Sequence, residues 1–243
     1  MSSVSVSHGS GPEALAQAVA QQHVIILVDV LRASSTIITA LANGASQIIP
    51  VTTVEEARER IYHIPNGFLA GERAAHPPAG FDFGNSPRSF LTDRVRGRPI
   101  ILTTSNFTRT LGTPPDTATI LVGAFLNIEH VATTARNLSE QSERPISVVS
   151  AGSMRGYAAE DDFTSHHIIS RLQYPEDPPS YADPTDIARE LLVSRHGTIL
   201  VRSGYEADIY FCAKPNRYDL TPILRNGAFI SYSQQFSSQK HSD

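Results

Sequence analysis

The stretch HVIILVDVLRASSTI, residues 23–37, joins an aliphatic run to a charged, hydroxyl-rich turn. Val24 to Val28 carry no polar side chain, the pattern of a strand buried on both faces rather than the alternation of a half-exposed one. The run ends in Asp29, followed by Arg32, Ser34, Ser35 and Thr36. Ser34 or Ser35 can cap a helix whose apolar face includes Ile37, Ile38 and Leu41, and Asn43-Gly44 supplies its stop. Strand, charged turn and helix together open an α/β pattern.

The same rhythm continues along the chain. Residues 48–51, 67–71, 98–104, 118–124 and 145–152 read as strands. Helices are expected at 126–141, 160–173 and 184–195, and another follows TVEE (53–56), which has the spacing of a capping box. Strands separated by helices predict an α/β fold with a largely parallel or mixed sheet flanked by helices. Residues 74–87 are too rich in Pro and Gly for regular structure, and 198–212 is ambiguous between strand and helix. One α/β domain is expected over 1–234, with a polar tail at 235–243. If the chain forms two α/β lobes, their boundary falls in the Pro-rich segment 174–184.

Composition narrows the function. The chain has 243 residues, 40 % of them hydrophobic, enough for a sizeable core. Twenty Lys and Arg against 24 Asp and Glu give a net charge of −4. Without a basic block, nucleic acid and an anionic membrane are not expected partners. A single cysteine, Cys212, excludes an internal disulfide and fits a reducing compartment. With no signal peptide or membrane span expected, the chain reads as cytoplasmic.

Polar clusters follow four of the strands. Asp29 and Arg32 come first, then Glu72 and Arg73. Ser105, Asn106, Thr108 and Arg109 form the third cluster, and Gly152, Ser153, Arg155, Glu160 and Asp161 the fourth. In a parallel sheet they would share one edge, where ligands collect. Arginine forks and helix N-termini hold oxyanions, and one or two carboxylates suffice for Mg²⁺. Phosphate-ester hydrolysis is the reaction class this chemistry suggests. Each Asp–Arg pair also has a plainer reading as a structural ion pair or cap, and Asp82 and Asn85 as turn residues. No GxxxxGK[ST], GxSxG or HExxH motif occurs. His166 and His167 are adjacent and point apart on a helix, and Cys212 reads as a buried small apolar residue.

The segments VDVLRASSTIITALANGA, LAGERAAHPPAGFDFGNSP, ILTTSNFTRTL, VGAFLNIEHVA, SAGSMRGYAAEDD and SGYEADIYFC, in order from 28 to 212, resemble the 2-phosphosulfolactate phosphatase (ComB-like) family. That resemblance implies a Mg²⁺-dependent phosphatase converting 2-phospho-3-sulfolactate to 3-sulfolactate and phosphate in coenzyme M biosynthesis. It implies Asp29, Glu72, Glu160 and Asp161 around the metal, and Asp29, Arg32, Asn106, Thr108 and Arg109 as the catalytic set. Arg73, Asp82, Asn85 and Arg155 would bind substrate, a small phosphorylated anion. Asp29-Val30-Leu31 lacks the Asp-x-Asp of aspartyl-phosphate enzymes, so attack by water is expected. Phe107 stands where the family usually has Gly, and Ser165-His166 where it has Ala-Gly. Two alternatives follow, a phosphatase for another small phosphorylated acid and a diverged anion-binding protein without catalysis. A homo-oligomer is left open.

Overall fold

The computed structural model describes residues 4–153, 156–177 and 183–232. Its elements run β1 (Val6–Ser10), α1 (Gly11–Ala20), β2 (Val24–Val28), α2 (Ala33–Ala42), β3 (Gln47–Pro50), α3 (Val54–Arg60) and β4 (Phe68–Gly71). Next come β5 (Pro99–Thr103), α4 (Phe107–Leu111), β6 (Thr119–Gly123), α5 (Ile128–Ser142), β7 (Ile146–Ser150) and α6 (Ala159–Gln173). The chain then forms α7 (Pro184–Val193), α8 (Arg195–Arg202), α9 (Glu206–Cys212), β8 (Pro222–Arg225) and β9 (Ala228–Ser231). All the strands join one mixed sheet in the order β1-β7-β2-β6-β8-β9-β3-β5-β4.

Two parallel blocks make up that sheet. β1, β7, β2 and β6 are parallel to one another, and so are β3, β5 and β4. The β8–β9 hairpin lies between the blocks and pairs antiparallel to both. Three antiparallel steps reverse the sense of the second block relative to the first. The four polar clusters therefore do not share one edge of a parallel sheet, as the sequence reading required. Sheet twist of about 20–25° per strand, over the five steps from β2 to β5, turns the second block by roughly 100–125°. The carboxyl ends of β2, β4 and β5 consequently meet around one cavity.

Helix α2 ties the blocks together. It is buried from Ala33 to Leu41 and packs on β3, β6, β8, β9 and the turn Pro87–Phe90. Ile37 and Ile38 are wholly buried, each contributing about 1.5–3 kcal/mol of transfer free energy. The helix begins at Ala33 with Arg32 at its cap position. Ser34 does not cap it; its hydroxyl accepts from the Asp29 N–H at 2.9 Å. A buried helix thereby fixes the turn that carries Asp29 and Arg32.

Several local expectations change. The ambiguous segment 198–212 is helical, divided between α8 and α9. The TVEE box is half formed. The Thr53 hydroxyl accepts from the Glu56 N–H, but the Glu56 carboxylate accepts from Thr52 instead of Thr53. β1, α1 and the β8–β9 hairpin were not anticipated. No helix among the described residues is long and apolar enough to cross a membrane.

Candidate active site

A pocket of about 550 Å³ opens where the two blocks meet. Asp29, Leu31 and Arg32 come from the turn after β2, and Glu72, Ala74 and Ala75 from the turn after β4. Thr104, Ser105 and Asn106 follow β5, Ser153 follows β7, and Asn85 comes from the Gly/Pro loop. The remaining wall is α8, through Arg195, His196, Ile199 and Leu200. Its size and mixed lining suit a small polar ligand.

Backbone geometry aims the two carboxylates. Asp29 accepts from the Ala33 N–H at 3.2 Å through one carboxylate oxygen. Glu72 accepts from the Ala75 N–H at 3.1 Å and the Ser105 N–H at 2.7 Å, bridging the turns after β4 and β5. Burial pushes the Asp29 carboxyl up to about 6. The His196 charge and the Ala33 N–H oppose that rise, while the negative charges of Glu72 and Glu160 add to it. Two mutually repelling carboxylates at one pocket are a donor set for a hard cation that completes its shell with water and substrate oxygens.

Arg32 is held from three sides. Its Nη1 donates to Asp208 at 2.7 Å, its Nη2 donates to the Ala75 carbonyl at 2.9 Å, and its guanidinium lies 4.3 Å from the Tyr205 ring centre. Asp208 also accepts from the Ser86 hydroxyl at 2.8 Å. The acid that pairs with Arg32 is thus Asp208 of α9, distant in sequence, rather than Asp29. His196 Nδ1 is hydrogen-bonded to Glu160. That bond raises the His196 pKa against the opposing effect of burial. Burial pushes Glu160 up, but the bond and charge of His196 outweigh it, and the carboxyl sits below its ordinary value.

The remaining nominated residues are placed differently. Glu160 is occupied by His196, and Asp161 accepts from the Val30 N–H at 2.9 Å, locking the turn after β2 to the start of α6. Burial, then the charges of Asp29 and Glu160, push Asp161 well up. Asp29, Glu72, Glu160 and Asp161 do not form one cage; among the described residues no three His, Cys, Asp or Glu side chains group to hold a metal ion. Arg73 donates to the Glu72 carbonyl, the Thr52 carbonyl and the Thr103 hydroxyl, so it braces the turn and does not line the pocket. Asp82 is exposed and accepts from the Leu69 N–H. Thr108 is buried in reciprocal bonds with Thr104, and Arg109 is exposed away from the pocket. Arg155 lies outside the described residues.

Phe107 opens α4 fully buried, its ring centre 5.8 Å from that of Phe229. It has no positive φ and does not line the pocket, so the change from the family's usual Gly leaves the cavity open. The Ser165 hydroxyl pairs with that of Ser150, and His166 bonds the Asp162 carbonyl, both away from the cavity.

Asp208, Arg195 and His196 escaped the sequence reading. Residues 184–195 read as one helix running into an ambiguous segment. The available signal was Ser194, whose hydroxyl accepts from the Gly197 N–H and caps a new helix. With that break recognised, Arg195 and Ile199, and His196 and Leu200, fall four residues apart on one face.

A family model described as 2-phosphosulpholactate phosphatase matches residues 11–227 of this chain. A probable 2-phosphosulfolactate phosphatase of Pseudothermotoga lettingae is 34 % identical over 224 residues, 89 % of this chain and 96 % of the relative. The protein of that name from Thermotoga maritima is 35 % identical over 213 residues, covering 84 % and 90 %. One from Caldanaerobacter subterraneus subsp. tengcongensis is 33 % identical over 225 residues, covering 87 % and 91 %.

Proposed function

Because this chain belongs to the 2-phosphosulfolactate phosphatase family, we propose that it hydrolyses the phosphate ester of 2-phospho-3-sulfolactate, releasing 3-sulfolactate and phosphate, with Mg²⁺ as cofactor. The observation that carries the reading is the convergence of Asp29, Glu72, Arg32 and Asn106 on one small pocket. Asp29 and Glu72 would hold the cation, which when bound neutralises charge on the phosphate oxygens. A two-carboxylate site with open positions fits Mg²⁺ better than a closed protein cage does.

The chain's own groups supply the rest. Arg32, fixed by Asp208 and the Ala75 carbonyl, presents a positioned positive charge to an oxyanion. Asn106, at the start of α4, lines the same cavity and can donate to a phosphate oxygen. Water attacks phosphorus as the bond from phosphorus to the C2 oxygen breaks; the water's protons leave on the released phosphate, and the departing alkoxide takes one proton from the protein. His196 lines the pocket with its Nδ1 already bonded to Glu160, and its Nε2 is the ring nitrogen that could serve the ligand. With its pKa raised by Glu160, it can supply a proton to the leaving oxygen.

The test is phosphate release from 2-phosphosulfolactate and from other phosphorylated small acids, with Mg²⁺ and with excess EDTA. Metal-dependent turnover strongest on phosphosulfolactate supports the reading, and a step in coenzyme M biosynthesis would then follow. Release confined to another acid keeps the reaction class and changes the substrate.

A further inference from the structure

We propose that Arg195, in the first turn of α8, clamps the substrate's second anionic group, the sulfonate or carboxylate carried beside the phosphate ester. The inference rests on the phosphatase reading and identifies what that site uses to select its substrate.

Arg32 already serves the phosphate, and among the described residues the other arginines expected to hold anions are committed elsewhere. Arg32 spends Nη1 on Asp208 and Nη2 on the Ala75 carbonyl. Arg73 spends its guanidinium on the turn after β4, and Arg109 does not reach the pocket. Arg195 lines the cavity and has no hydrogen bond or ion pair among the described residues. Its guanidinium keeps the full two-pronged donor face that matches a sulfonate or carboxylate.

Charge in the pocket is unevenly placed. Asp29 and Glu72 put negative charge at the β2 and β4 ends, and the His196 charge is offset by its bond to Glu160, which leaves Arg195 as the cation of the α8 wall without an ion-pair partner among the described residues. A ligand with two anionic groups cannot place both beside the carboxylates without strong repulsion. One group goes to the cation and Arg32, and the other is drawn to α8. Ile199 and Leu200 continue the same face and give a short carbon skeleton an apolar backing.

Asn85 is an independent sign of a ligand. It is 4 % exposed, lines the same cavity, and its side-chain Oδ1 has no hydrogen-bond partner among the described residues. A buried amide oxygen left unpaired is costly, and a water carried in with the ligand, donating to Oδ1 and to the anion together, would satisfy it. The Asn85 carbonyl accepts from the Thr36 hydroxyl at 3.0 Å, so the residue is fixed against α2 and the unpaired amide is not a loose loop.

The experiment compares wild type, Arg195→Gln and Arg195→Lys on four esters. These are 2-phosphosulfolactate, 2-phospholactate (no sulfonate), 2-phosphooxyethanesulfonate (no carboxylate) and ethyl phosphate (neither). Arg195→Gln should raise KM for phosphosulfolactate about ten-fold or more beyond any rise for ethyl phosphate, with Arg195→Lys intermediate. A matching rise on only one of the two intermediate esters identifies the group that is clamped. Equal effects on all four esters, or none, overturn the proposal. Calorimetric titration with 3-sulfolactate separates this from the parent reading. Wild type that binds 3-sulfolactate but hydrolyses no phosphosulfolactate, with binding lost in Arg195→Gln, upholds the clamp and rejects the activity. Wild type that fails to bind it, or a variant that binds it equally, rejects the clamp.

Discussion

Two buried charges decide how the site is held, and they act in opposite directions. Arg32 and Asp208 are 2 % and 1 % exposed at their side chains, so each depends on the other for neutralisation. Asp208→Asn leaves a buried guanidinium without its counter-charge and should cost about 3–5 kcal/mol in denaturant unfolding. Arg32→Met combined with Asp208→Leu should recover much of that stability while phosphatase turnover stays lost. Stability equal to wild type in Asp208→Asn alone would refute the structural half of this assignment. Asp29 behaves conversely, because burial first, and the Glu72 and Glu160 charges after it, raise its pKa from 3.8 to about 6. Below about pH 3.8 folded and unfolded chains are both protonated at this residue, and it costs nothing. As pH rises from there to about 6, the unfolded chain releases its proton first, so stability falls. Above about 6 a penalty of about 3 kcal/mol remains, the pKa difference at 1.36 kcal/mol per pH unit. In EDTA at pH 7, Asp29→Asn should therefore melt several degrees above wild type, with the gap closing toward pH 4. Adding Mg²⁺ should raise the wild-type Tm and leave the variant's unchanged. A lower Tm for Asp29→Asn at pH 7 in EDTA would contradict the assigned environment.

At the scale of elements, close backbone approaches set two walls of the pocket. Gly71 ends β4 at φ +151, and a Cβ there would sit 2.1 Å from the Thr103 carbonyl oxygen of β5. The neighbouring Glu72 N–H donates to that same carbonyl, so Gly71 is what lets Glu72 seat against β5. Gly197 plays the corresponding part in α8, since its Cβ would lie 1.9 Å from the Leu191 carbonyl of α7. Gly71→Ala and Gly197→Ala should each destabilise by about 1–3 kcal/mol, because backbone must move in both. Their kinetics should differ. Displacing Glu72 should lower kcat strongly, up to about a hundred-fold for a displacement near 1 Å. Displacing α8 should raise KM for substrates with two anionic groups as well as lower kcat, because Arg195 and His196 move together. Identical kinetic profiles would mean the two walls do not have separate roles. Strand and helix existence was legible wherever period and length agreed, as in β2, β5, β6 and β7, whose aliphatic runs are buried on both faces. The turns after β2 and β4 were legible as site elements because acids and arginines recur at strand ends, a recurrence that one ion pair or cap does not explain. α8 was not, because TILVRSGYEADIYFC satisfies strand composition and helix period together, and only packing against α6, α7 and α9 decides between them. Arg73, Asp82, Thr108 and Arg109 carry the chemistry of a site, but their hydrogen bonds point into turns or their side chains into solvent, and residue type alone does not encode direction.

At the scale of the molecule, the pocket exists because two oppositely directed parallel blocks are joined through one hairpin. Its turn is Asn226-Gly227, with φ +50 and +75, between PILR and AFIS. Both central residues at positive φ form the primed kind of turn that matches strand twist, and Asn-Gly is the sequence that adopts it most easily. The signal was therefore present in the sequence, but a short strand on each side gave it too little support, and the largely parallel or mixed sheet was expected without its hairpin. The hairpin contributes Ile223 and Phe229 to a hydrophobic core that also contains Val24–Val28, Ile37, Ile48 and Ile100, so the core is continuous from the first block to the second. Separate unfolding of either block would expose α2, which is buried against strands of both. Gly227→Val forces a β-branched side chain into a positive-φ position and should cost about 1–3 kcal/mol. Hydrogen exchange followed by mass spectrometry should show protection falling together in β2 and β5 in that variant, although neither strand touches the turn. Loss of protection in β5 alone, with β2 unchanged, would show that the blocks unfold independently and that the hairpin does not couple them.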